Sequence, residues 1–171
     1  KGYTMYTILV ASLNENMKLA KLIQNHLEAM NIQSEIINLV DLNIPLYDSF
    51  KETNDGIPSK ILELSNTMKN ATGYIIVAPE YNFSIPPVLT NVIAWLSRSG
   101  ENFRELFTLK YVQLATHSGI TGIDVCNAMR TQFSKLGAIV APREILTTYD
   151  KHIEEGSLQR ILTQFISISQ K

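Results

Sequence analysis

Cysteine is nearly absent: Cys126 stands alone in 171 residues. That excludes an intramolecular disulfide and any multi-cysteine zinc site. Histidine is scarce as well, and His26, His117 and His152 are too far apart to show metal-ligand spacing. An excess of one charge is missing: 15 Lys and Arg stand against 16 Asp and Glu, for a net charge of -1. With no basic run, the electrostatic stripe of a nucleic-acid-binding surface is lacking. No apolar run reaches the roughly 18 residues that a membrane span needs. No basic segment leads into an apolar stretch at the start, so no secretory signal is expected, and the expected compartment is the cytoplasm. Neither a G-x-G-x-x-G nor a Walker A pattern occurs, which argues against Rossmann dinucleotide sites and P-loop NTPases. Internal repeats, low-complexity tracts and linkers are absent too.

What remains is an ordinary globular composition, 45% hydrophobic and 18% charged, in a length that suits one domain. Residues 1–4 precede Met5 and look like a vector-derived remnant, so the expected domain is 5–171. Cys126, in an apolar helical stretch, reads as a packing residue rather than a reactive thiol.

Strand-like and helix-like segments alternate along the chain. Apolar runs at 6–11, 34–39, 73–78, 111–116 and 138–141 predict five buried strands. Helical periodicity predicts helices over 16–30, 57–70, 86–97, 122–136 and 154–169. Pro58 and the pair Pro86-Pro87 fall in first turns, where proline is tolerated, and Gly137 ends the fourth helix. Five β–α pairs imply parallel strands with right-handed crossovers and helices on both faces, most simply in the doubly wound order 2-1-3-4-5. The 40–56 connection is long and polar at its end, and reads either as a lid or contact surface or as a solvated link.

In such a sheet, ligands bind beyond the carboxyl ends of the strands where the order reverses. The loops there are 12–16, 79–84 and 117–122. In the first, Ser12, Asn14 and Asn16 feed a helix, so they read either as N-caps or as part of a phosphate site at the helix N-terminus. The second sets a carboxylate, aromatics and an amide (Pro79, Glu80, Tyr81, Asn82, Phe83, Ser84) between a strand and a proline-started helix. A flat heteroaromatic ring could take its free N–H groups, or the loop could be a plain turn with Ser84 as a cap. No Ser-His-Asp set and no carboxylate pair at helical spacing accompanies them, so no protein nucleophile or catalytic acid is expected.

The run from Pro79 to Arg98, PEYNFSIPPVLTNVIAWLSR, closely resembles the signature of the NADPH-dependent FMN reductase family. That family includes azo-, quinone- and chromate-reducing flavoenzymes. Residues 42–48 (LNIPLYD) resemble its loop after strand two, and 116–122 (THSGITG) its third flavin loop. The resemblance covers nearly the whole chain. It implies a flavodoxin-like fold, bound FMN, NADPH or NADH as co-substrate, and ping-pong hydride transfer to a small acceptor such as a flavin, quinone or azo compound.

By the same resemblance, Pro79, Glu80, Tyr81 and Asn82 border the isoalloxazine, and Ser118 and Gly119 approach its pyrimidine side. Ser12 and Asn16 hold the phosphate end. His117 and Gly122 belong to the third loop, and His117, in place of a commoner small residue, either tunes the flavin or fills space. Trp95 and Arg98 lie near the surface of a homodimer or homotetramer. The chain departs from the family in its first loop, about two residues short and without the usual arginine, and in Thr90 and Ala94 where lysine and aspartate are usual. Two other functions fit the residues: an FMN-binding electron carrier or redox sensor, and a flavin-free interaction domain.

Overall fold

The computed structural model describes residues 5–102 and 104–170; residues 1–4, read above as a remnant, lie outside them. In chain order the elements are β1 (Met5–Val10), α1 (Glu15–Ala29), β2 (Gln33–Asn38), α2 (Ser49–Asp55), α3 (Ser59–Asn70), β3 (Gly73–Val77), α4 (Pro87–Leu96), β4 (Tyr111–Ser118), α5 (Ile123–Lys135), β5 (Ile139–Val140), β6 (Ile145–Thr148) and α6 (Glu155–Ser169). The strands pair in the order β2-β1-β3-β4-β5, all parallel, with β6 also on β4. This is the expected flavodoxin-like, doubly wound sheet. Residues alternate between its faces, as the two-residue period of a strand requires. Ile8, Val10 and Ile75 pack under α1 and α6, while Leu9, Ile76 and Leu114 pack under α3, α4 and α5.

The last strand differs from expectation. A single strand over 138–141 is replaced by two pieces: β5 covers Tyr111 and Val112, and β6 covers 115–118 of β4. Pro142 lies in the gap and has no N–H to give to a ladder. The buried Gln113 bridges the gap instead, donating from Nε2 to the Arg143 carbonyl at 2.7 Å. Because β6 pairs with the end of β4, that strand runs two residues past its expected end. His117 and Ser118 are therefore strand residues, opposite Thr147 and Thr148.

The 40–56 connection is solvent-exposed over most of its length, but it is not free. It contains α2, started by Asp48, whose side chain accepts from the Lys51 N–H at 2.7 Å. It is fastened to α4 by residues of the signature segment. Asn91 accepts from the Tyr47 N–H at 2.8 Å and donates to the Pro45 carbonyl at 3.0 Å. Trp95 Nε1 donates to the same carbonyl at 2.8 Å, and its ring meets Tyr47 edge-on at 5.0 Å. Arg98 pairs with Glu52 at 2.9 Å.

The Trp95 ring itself is not available to a partner subunit. Trp95 is 1% exposed, and Val92 and Leu96 are buried beside it. Their apolar area is covered by the chain's own 44–52 segment. Cys126 is buried as expected, and burial pushes its thiol up to about 12.

Candidate active site

The three loops at the reversal point converge. Ser12, Asn14, Asn16, Pro79, Glu80, Tyr81, His117, Ser118 and Gly119 line one cavity of about 200 Å³. Asn82 lines an adjoining cavity of about 310 Å³ with Phe83 and Ile120. On the other side, Leu13, Val40, Tyr81, Pro86 and Pro87 line a mainly apolar one of about 280 Å³. Polar and apolar walls thus meet at Ser12, Asn14 and Tyr81.

Asn14 occupies the N-cap position of α1, yet its side chain makes no cap hydrogen bond. Among the described residues, the backbone N–H groups of 12–16 find no acceptor. The start of α1 therefore keeps its donors and its partial positive charge open, as an anion site requires. Asn16 does something other than the sequence suggested. It is 3% exposed, and its amide is spent on the backbone of His117: Oδ1 accepts from the His117 N–H at 2.8 Å, and Nδ2 donates to its carbonyl at 2.9 Å. Asn16 ties the first loop to the end of β4.

Glu80 is a second tie. Its Oε2 accepts from the Val125 N–H at 3.0 Å, capping α5 from a distant loop, and its Oε1 lies 3.5 Å from Ser118 Oγ. A carboxylate at a helix N-terminus is favoured by the helix dipole. Glu80 therefore holds the second and third loops together.

Tyr81 and Ser84 exchange backbone hydrogen bonds at 3.1 and 3.0 Å around a two-residue turn. Asn82 and Phe83 sit there at φ +49° and +60°. Such turns favour Asn-Gly, and a phenylalanine at positive φ is strained. The Ser84 side chain is exposed and does not cap α4, whose N-cap is Pro86. Phe83→Gly is expected to raise the unfolding free energy by about 1 kcal/mol, since the exposed ring loses little packing. Thermal unfolding checks this, and a drop in stability would mean that the ring makes contacts worth more than the strain.

The two glycines of the third loop differ. A Cβ on Gly119 would meet nothing within 4 Å, so that edge of the cavity stays open to close approach. Gly122 has φ +70°, and a Cβ there would come within 2.5 Å of Thr116 Cγ2. Gly122 is needed by the backbone, and it lines neither cavity to which its loop contributes.

Sequence reasoning missed Tyr149, which lines the 200 Å³ cavity and meets the His117 ring edge-on at 4.7 Å. It follows β6, the strand that the pattern did not show. Glu15, also in the wall, is held by Lys18 at 2.7 Å, and that bond keeps its carboxyl below the usual range.

A flat ring with a phosphate tail needs free N–H donors, an apolar wall and an open approach. The donors of loop 12–16, the wall of Leu13, Tyr81 and Pro86, and the open edge at Gly119 supply them, so the residues fit FMN.

A doubly wound sheet with its three reversal-point loops around one polar cavity defines a flavodoxin-like α/β protein. The model of the NADPH-dependent FMN reductase family matches residues 6–151, and the chain belongs to that family. Among curated proteins, it is 45% identical to a quinone reductase of Escherichia coli over 56 residues, 33% of this chain and 30% of that protein. It is 30% identical to a subunit of the NADH:(hydroxy)cinnamate reductase of Vibrio ruber over 91 residues, 53% of this chain and 43% of that one. The chain thus matches less than half the length of either relative. Among solved structures, a flavoenzyme NAD(P)H:(acceptor) oxidoreductase from Paracoccus denitrificans superposes with a TM-score of 0.79, covering 98% of this chain and 97% of that one at 20% identity. An archaeal flavodoxin gives 0.66, covering 98% and 97% at 14% identity. These structures share the fold. No helix among the described residues is long and apolar enough to cross a membrane.

Proposed function

We propose that this chain is an FMN-dependent NAD(P)H oxidoreductase acting on a small acceptor such as a quinone, with residues 5–171 as its single flavin-binding domain. The observation that carries this reading is the convergence of three donor-bearing loops on one cavity with a polar and an apolar side. FMN bound there would supply the hydride chemistry in two half-reactions.

The chain's own residues position and shield. The N–H groups of 12–16, with Ser12 and Asn14, would take the phosphate end. The backbone of 79–82 and of Ser118 and Gly119 would meet the polar edge of the ring, and Leu13, Tyr81 and Pro86 would cover its apolar part. Asn16 and Glu80 act through other groups, keeping the three loops in register. A homodimer or homotetramer follows from the family resemblance. Within the fastened 44–52 segment, Leu46 and Phe50 are left 72% and 77% exposed.

The test is initial-rate kinetics with FMN-loaded protein, varying NADPH or NADH against a benzoquinone. Parallel double-reciprocal lines are expected, because one pocket serves both substrates in turn. Intersecting lines would contradict a shared pocket, and FMN binding without turnover would favour an electron carrier.

A further inference from the structure

The cavity of about 310 Å³ opens between the second and third loops, lined by Glu80, Asn82, Phe83, Ser118, Gly119 and Ile120. Glu80, Ser118 and Gly119 also line the 200 Å³ cavity, so the two adjoin at those residues. Ligand pockets run from about 300 to 1,000 Å³, and a space at the small end of that range suits one small ring system.

Three observations say what kind of ring. First, Phe83 and Ile120 reach the cavity from different loops and are 68% and 71% exposed. Two large apolar side chains left in water around a concave space offer a surface to a flat apolar ring. Second, Phe83 is held at φ +60°, in the left-handed region. A bulky residue is strained there, and strain of this kind clusters at ligand-binding sites. The exposed ring gains little packing in return, so packing does not account for its position. Third, Glu80 is the one ionisable side chain in this wall, and it is a carboxylate. No lysine, arginine or histidine lines the cavity to balance a negative ligand, so an anion there is repelled. The Asn82 side chain has no hydrogen-bond partner among the described residues and can donate to a carbonyl oxygen.

We propose that the 310 Å³ cavity is the acceptor subsite, in which Phe83 and Ile120 hold a flat, uncharged ring such as a quinone and the Glu80 carboxylate turns anionic acceptors away. The inference deepens the functional reading above and rests on FMN lying in the adjoining cavity. It also gives the strained turn a use: the Phe83 ring is kept at a cost in stability because it binds.

The experiment compares naphthoquinone with naphthoquinone sulfonate as acceptors for the FMN-loaded protein, in the wild type and in Phe83→Gly, Phe83→Tyr, Ile120→Ala and Glu80→Gln. A glutamine oxygen can still accept from the Val125 N–H, so the tie between the loops is kept, and melting temperatures check all four variants.

Phe83→Gly is expected to raise the KM for naphthoquinone about three- to ten-fold, and Phe83→Tyr, which keeps the ring, to stay within about two-fold of the wild type. Ile120→Ala is expected to raise it about three-fold. Glu80→Gln should lower the KM for the sulfonate about three- to ten-fold and leave that for the neutral quinone within about two-fold. Wild-type KM values in Phe83→Gly and Ile120→Ala, or a sulfonate indifferent to Glu80→Gln, overturn the subsite and leave the flavin reading standing. A Phe83→Gly protein that loses stability together with quinone affinity also overturns it, because the ring would then be a prop for its own loop.

Naphthol and naphthalenesulfonate are flat probes that need no turnover. By calorimetry, the wild type should bind the neutral probe more tightly than the anion, and Phe83→Gly should weaken the neutral probe about three- to ten-fold, with or without FMN. No dependence on Phe83 overturns the subsite even where FMN binds and turns over. Naphthol binding that depends on Phe83 in a chain that takes up no FMN keeps the ring-binding cavity and sinks the flavin reading.

Discussion

Trp95→Ala is expected to lower the unfolding free energy by about 3–5 kcal/mol and to expose residues 40–56 to proteolysis. The ring is 1% exposed and makes an edge contact with Tyr47. Its removal leaves a cavity under the 44–52 segment and strips the Pro45 carbonyl of its Nε1 donor. Trp95→Phe keeps most of the packing and loses that hydrogen bond, so its cost is expected near 1 kcal/mol. The chain has one tryptophan, so urea unfolding should be followed by circular dichroism rather than fluorescence. A loss of under about 1 kcal/mol for the alanine variant would mean that the segment is held by something else.

Asn16→Ala is expected to cost about 2–4 kcal/mol, because it leaves a buried N–H and a buried carbonyl of His117 unpaired together. It should also weaken FMN binding more than ten-fold, since the first loop and the end of β4 lose their registration. Asn16→Asp separates the two halves of the tie. The carboxylate still accepts from the His117 N–H, but its other oxygen opposes the His117 carbonyl where an amide donated. It should be nearly as damaging as alanine. Denaturant unfolding and flavin titration on the same samples measure both effects. Unchanged flavin affinity alongside lost stability would place the ligand away from the first loop.

Much of this was written locally. Predominantly apolar runs mark β1, β3 and the first part of β4 because a strand buried on both faces has little polar side to show. The donor-rich loops follow directly at their carboxyl ends. The second half of the fifth strand was not legible. Pro142, Arg143 and Glu144 break the apolar run, and four residues, ILTT, carry too little pattern alone. Missing β6 also hid Tyr149 and the strand character of His117. Helix α2 was hidden because it is seven residues long and buries none of them.

Roles were harder to read than places. Asn91, Trp95 and Arg98 stand in the most recognisable segment of the chain, yet their partners Tyr47, Pro45 and Glu52 lie more than forty residues away. No local spacing encodes such pairs. The same holds for Asn16 and Glu80, which sit where a cofactor residue should and serve to fasten the loops that would touch it.

The most direct test of the central claim is an absorbance titration of flavin-stripped protein with FMN, followed by NADPH or NADH without oxygen. The three-loop site predicts a shifted flavin spectrum that saturates at one FMN per chain and bleaches when the nicotinamide is added. Free-flavin spectra at every ratio, with no FMN retained after gel filtration, would contradict it.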